Sequence, residues 1–207
     1  MAITTFDELK TAAANWLGRD DLTDRIPEFV ALAEGRINRT IFARAQEARA
    51  TATLTADDAF TSLPTDLRQI RVVQLNTTPT TVLSFMPPAM LESTYPSTTS
   101  GKPLAYTTIG TEIKFAPTPD SGYTAEILYT QGIPALSASQ TNNTYLTRSP
   151  DAYLYGTLVE AHRYLMDPNQ ANNFDQLFTR AMGEIKKEDE EARWGGSPLQ
   201  MKTASAP

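Results

Sequence analysis

Residues 149–193 read SPDAYLYGTLVEAHRYLMDPNQANNFDQLFTRAMGEIKKEDEEAR, and the periodicity of this stretch decides the fold class. Ser149-Pro150 opens a helix with a cap residue and a proline at the first position, where a missing N–H costs nothing. Leu154, Leu158, Ala161 and Leu165 recur at spacings of three and four and so share one face. Tyr155, Val159, His162 and Met166 form a second stripe about 100° around the same helix. An apolar face this wide needs two surfaces to pack against. One is the next helix, which Asp167-Pro168 opens by the same device and whose stripe is Phe174, Leu177, Phe178, Ala181 and Ile185. The other is a sheet or a neighbouring subunit, and the sequence leaves that choice open. A tight turn at 166–168 makes the pair an αα-hairpin.

The N-terminal stretch, residues 1–49, is also helical and rich in charge. Thr5 with Glu8 three residues later has the form of a capping box, and Gly18 is placed to stop that helix. A second helix, capped at Thr23 or Asp24 with Pro27 in its first turn, carries Ile26, Phe29, Val30, Ala33, Ile37 and Ile41 as one stripe. Arg36, Arg39, Arg44 and Arg49 lie off it, either on a solvated face or facing an acidic partner.

Between these ends, residues 50–149 hold only 12 charged residues, against 21 threonines and 9 prolines, which suits short strands better than helices. Residues 68–76 are rich in β-branched side chains. Ile109, Thr111, Ile113 and Phe115 alternate with polar residues, as do Tyr123, Ala125, Ile127 and Tyr129, and each set predicts one face of a strand. The stretch PPAMLESTYP at 87–96 is a short helix or turn, and ALSASQTNNTYLT at 135–147 is an exposed loop. The fold class is therefore α+β: mainly an α-helical bundle from the N- and C-terminal helices, with a β-rich central insertion. The domains are 1–49 with 150–192 (helical), 50–149 (β-rich) and a tail at 193–207.

Little in the chain points to a reaction. It has no cysteine and a single histidine, so thiolate zinc sites, histidine zinc sites and cysteine nucleophiles drop out. His162 sits inside an apolar stripe with no fixed nucleophile beside it, as a packed core or interface histidine would. Glu184, Glu188, Asp189, Glu190 and Glu191 form an acidic run, but Lys186–Glu190 and Lys187–Glu191 have ordinary i,i+4 spacing. There is no phosphate-cradling glycine loop and no nucleophile elbow. No catalytic residue, cofactor or metal is expected. The start MAITTFDELK lacks the basic and apolar parts of a signal peptide, and no segment has the apolar length to span a bilayer; synthesis in the cytoplasm is expected. The formal charge of −6 disfavours a grip on DNA phosphates. In the tail, Arg193, Trp194, Leu199 and Met201 are candidate anchors for docking on a partner, the other reading being a disordered end.

The opening TTFDELKTAAANWLGRDDLTDRIPEFVALAEGRINR, the proline turn and strand LPTDLRQIRVVQL at 63–75 and the closing helix pair together resemble the bacteriophage head-to-tail connector adaptor family, the tail tubular protein A-like adaptors of the portal–tail neck. The resemblance implies a structural virion protein that forms a ring, usually of twelve copies, below the portal. It implies a helical part around the DNA channel, a β-rich part facing outward or towards the tail, and a C-terminal end reaching the portal. The partners are then further copies of itself, the portal protein and a tail or nozzle or terminator protein, with DNA passing through unbound. The ring contact joins two different faces of successive subunits, and Tyr155, Val159, His162 and Met166 are the candidate surface for it. On that reading Val159→Asp blocks assembly and spares the monomer. The alternatives are another phage neck or tail-completion protein, a host-surface or carbohydrate-binding module on the threonine-rich sheet, which would need exposed aromatics on one strand face, and a metal-dependent hydrolase.

Overall fold

The computed structural model describes residues 2–19, 21–96 and 99–194, the last two by their backbone alone. In chain order it contains α1 (Phe6–Leu17), α2 (Ile26–Thr40), a 3-10 turn (Arg44–Gln46), β1 (Glu47–Leu54), β2 (Phe60–Ser62), β3 (Leu67–Leu75), β4 (Thr81–Val82), β5 (Ser84–Phe85), α3 (Pro88–Thr94), β6 (Ala105–Ile109), β7 (Glu112–Ala116), β8 (Tyr123–Gln131), α4 (Thr144–Arg148), α5 (Pro150–Tyr164) and α6 (Pro168–Trp194). Helices and strands both contribute, in the α+β class. They form two compact units. One is built from the described residues up to Ala45 and from Ile133 on, and the other is Gln46–Gly132.

Local chemistry sets the helix ends of the first unit. The Thr5 hydroxyl accepts from the Glu8 amide at 3.3 Å and the Glu8 carboxylate accepts from the Thr5 amide at 3.0 Å, a complete capping box. Gly18, at φ +61°, takes the left-handed conformation that ends α1. The carboxylate of Asp167 accepts from the Gln170 amide at 3.2 Å and so caps α6. The stripe of α2 is buried as its spacing requires, each of its six residues at 3% exposure or less. The helix begins at Ile26 after Arg25, two residues or less past the expected cap, because the segment before it forms a turn of its own.

α5 is the hub of this unit. It packs against α1, α2, α4 and α6, and nearly every residue from Ala152 to Ala161 is buried. That answers the question left by its wide apolar face: the second surface is supplied by the N-terminal helices of the same unit. Gly156 of α5 faces both α2 and α6. A Cβ there would stand 3.1 Å from Ala33 and 3.1 Å from the Phe178 ring, so the crossing tolerates no side chain without displacement.

The second unit is two four-stranded sheets. One runs β1-β8-β3-β4, antiparallel throughout, and the other β2-β7-β6-β5, with only β5 and β6 parallel. Their inner faces share one core, in which Val73, Leu75, Ile113, Phe115, Ala125 and Ile127 are at 1% exposure or less. The alternation over 123–130 marks β8 correctly. The alternation over 109–115 does not mark one strand. The chain reverses at Gly110-Thr111 in a two-residue hairpin, with Ile109 facing Glu112 and Gly110 at φ +62°.

The chain passes between units at 45/46 and 132/133, where composition placed the boundaries at 49/50 and 149/150. Glu47–Arg49, charged enough to look helical, pair in register with β8, Glu47 opposite Thr130. Residues 133–148 return to the helices: Asn38 bonds the Ile133 amide at 2.8 Å, and α4 forms behind Asn143, whose carboxamide oxygen accepts from the Leu146 amide at 2.8 Å.

Candidate functional site

The second stripe of α5 lies along a seam between α1 and α6. Tyr155 is half-buried, with Trp16 of α1 set edge-on to it at 6.2 Å and to Phe174 of α6 at 6.1 Å. His162 stacks on Phe174 at 5.3 Å with an interplanar angle of 13°, and its Nδ1 lies 3.9 Å from the Asp167 carboxylate. Met166, at φ +57° in the turn before α6, is 87% exposed. Val159 is fully buried in the core of its own unit. Of the four, Met166 is open to a neighbouring molecule and Tyr155 and His162 are partly so, whereas Val159 is out of reach of one. Trp16, 55% exposed, and Leu177, 41% exposed, extend the same surface. Trp16 belongs to another helix, so the periodicity of α5 alone did not reveal it.

Two of the charged features resolve into contacts within the chain. Arg36 bonds Asp175 at 2.7 Å and Glu160 at 3.4 Å, and its guanidinium lies over the Phe178 ring at 4.6 Å. The solvated or acidic partner surface expected for Arg36 is thus the α5–α6 face of its own unit. In the acidic run, Asp189 accepts from the Arg44 amide at 2.9 Å, and Lys187 pairs with Glu191 at 3.7 Å. A cleft of about 720 Å³ opens there, between residues 40–43, with Phe42 exposed, and Lys186, Asp189, Glu190 and Glu191 of α6. Among the described residues no group of three or more histidine, aspartate and glutamate side chains is placed to hold a metal, and no helix is long and apolar enough to cross a membrane. In the β unit, Tyr129 is buried with its hydroxyl on Asp66, and Tyr123 is half-buried with its hydroxyl on Asp120. They do not form an exposed aromatic platform for a sugar.

A buried polar cluster was not singled out by sequence reasoning. Glu34 of α2, 5% exposed, accepts from the Leu136 amide at 2.9 Å and from the Tyr153 hydroxyl. Asn143 donates to that hydroxyl at 2.7 Å and to the Pro134 carbonyl at 3.0 Å. Burial pushes the Glu34 carboxyl up to about 7, with the two donors pulling back, and burial also raises the Tyr153 hydroxyl. The signal was present: Glu34 comes four residues after Val30 and three before Ile37, on the apolar side of α2. The cluster fastens residues 134–143 to the helices and is structural in its chemistry, with acceptors and donors matched and no nucleophile within it.

Of the tail anchors, Arg193 and Trp194 are the last two residues of α6, while Leu199 and Met201 lie outside the described residues. Against known proteins, a family model described as SU10 adaptor protein matches residues 4–202. No curated protein matches the chain.

Proposed function

Because the chain belongs to the SU10 adaptor protein family, a phage structural family and not a catalytic one, we propose that it is the head-to-tail adaptor of a tailed phage, a ring of about twelve copies seated under the portal. In this reading the helices up to Ala45 and from Ile133 on are the ring-building bundle, and Gln46–Gly132 is the β-rich insertion directed outward or to the tail. The portal docks the C-terminal anchors Arg193, Trp194, Leu199 and Met201. A tail, nozzle or terminator protein binds below, and DNA passes through a channel whose subunits each bring a net −6 and so repel its phosphates. The protein is made in the host cytoplasm and ends in the neck of the virion, without enzymatic activity.

The family match over nearly the whole chain carries this reading. Support comes from the aromatic seam of Tyr155, His162 and Trp16, which leaves apolar surface at the edge of the helical unit. The test is the mass in solution, first alone and then with the portal protein of the same genome. A ring alone, or a monomer that becomes a multi-copy ring on the portal, is the expected result. A chain that stays monomeric and ignores the portal would sink the adaptor reading.

A further inference from the structure

A closed ring of identical chains needs two different surfaces per chain that fit each other. Two such surfaces stand on the helical unit. The first is a hollow of about 200 Å³ between α5 and α6, lined by Asp151, Tyr155, Leu177, Arg180, Ala181 and Glu184. Its apolar lining is Tyr155, Leu177 and Ala181. Its rim is mixed: Arg180 and Glu184 pair with each other at 3.0 Å, while the Asp151 carboxylate makes no ion pair or side-chain hydrogen bond among the described residues.

The second surface is the outward stripe of α2. Glu28, Leu32, Gly35 and Arg39 follow at spacings of four, three and four, and so fall in one line along the helix, on the side away from the buried stripe that packs on α5. Leu32 is 56% exposed with nothing apolar to cover it. Arg39 folds back so that its guanidinium lies over Gly35, 3.4 Å from where a Cβ would stand, which sets a positive charge one turn from Leu32. Arg39 makes no ion pair among the described residues, whereas Glu28 is neutralised by Arg25 at 3.1 Å.

The two surfaces face different directions and cannot meet within one chain. They complement each other in kind: a leucine beside a free cation, and an apolar hollow beside a free carboxylate. Burying the leucine favours the contact, and a charge pair at the rim adds register more than affinity. We propose that the α2 stripe of one copy seats in the α5–α6 hollow of the next, Leu32 against Tyr155, Leu177 and Ala181, and Arg39 towards Asp151. This inference rests on the ring reading and gives the ring its contact.

The chain has no cysteine, so introduced thiols are unique. The test uses Leu32→Cys, Leu177→Cys and the double variant. Each is assembled with the portal protein, treated with a short bismaleimide and resolved under denaturing conditions. Both leucines are exposed, and circular dichroism confirms that each variant folds. The double variant is expected to give a ladder of covalent multimers, and each single variant only monomer. Assembled double variant that stays monomeric after cross-linking overturns the proposed contact and leaves the adaptor reading intact. So does a Leu32→Cys single variant that cross-links to itself. Wild-type chain that never assembles on the portal overturns the adaptor reading itself.

Discussion

Glu34 is a carboxyl held in the interior of the helical unit with two donors for company, and this single residue gives the fold a dependence on pH. Its ordinary value is 4.5, and burial raises it to about 7 in the folded chain. The fold therefore binds this proton more tightly than the unfolded chain does. The resulting stabilisation is fully present below about 4.5 and is lost as pH rises through about 7. Glu34→Gln keeps an oxygen for the Leu136 amide and removes the ionisation. The variant should match wild type closely near pH 5 and exceed it in stability near pH 8, by on the order of 2–3 kcal/mol. Thermal melts of both proteins across that range check this, and a stability difference that does not change with pH would sink it. The surface carboxylates Glu8 and Asp21 shift the other way, held low by their hydrogen bonds to Thr4 and Arg19, and cancel in the comparison because both proteins share them.

At the scale of the element, α5 decides the most. It is surrounded by four helices of its own unit, so a charge at its centre has nowhere to go. Val159→Asp should therefore unfold the helical unit, where the sequence alone led to a folded monomer that fails to assemble. The expected cost is several kcal/mol, from an unpaired charge in an apolar interior together with lost packing. Loss of helical circular dichroism at 25 °C is the measurement, and a variant that melts like wild type would return Val159 to the surface. The reason the sequence could be read this far, and no further, is visible in the same elements. Thr5 and Glu8, Gly18, Asp167 and the α2 stripe act over a few residues, and their pattern is the cause of the structure. Ile109–Phe115 misled because a period of two runs on unbroken through a tight hairpin; Gly110 was the one sign of the reversal. Asn143 caps a helix of only five residues, too short to show a period, and Glu34 as an anchor depends on Leu136, far away in the chain. Of the candidate contact, Tyr155 was legible from its helix. Leu32 was not, since a lone leucine off a stripe carries no pattern until the helix has a neighbour to turn away from.

For the whole molecule, the division into two units has a simple topological basis. Gln46–Gly132 begins and ends on neighbouring strands, with Glu47 directly opposite Thr130. The unit closes on itself, and its excision leaves a gap that a few residues can bridge. Residues 46–132 expressed alone should fold with a single cooperative melt and β-type circular dichroism. The remaining chain, with Ala45 joined to Ile133 by a short Gly-Ser bridge, should keep its helical signal. Loss of cooperative folding in either piece would show that each unit needs the other. The clasp between Arg44 and Asp189 bears on the same boundary from a different side. Arg44 precedes the exit to the β unit by one residue, and Asp189 lies five residues from the end of α6, a helix roughly 40 Å long. A pull exerted at Trp194 and resisted at Glu47 is expected to load that clasp and the last turns of α6. Tension between the two ends would then fall first on a bond that can reform on release.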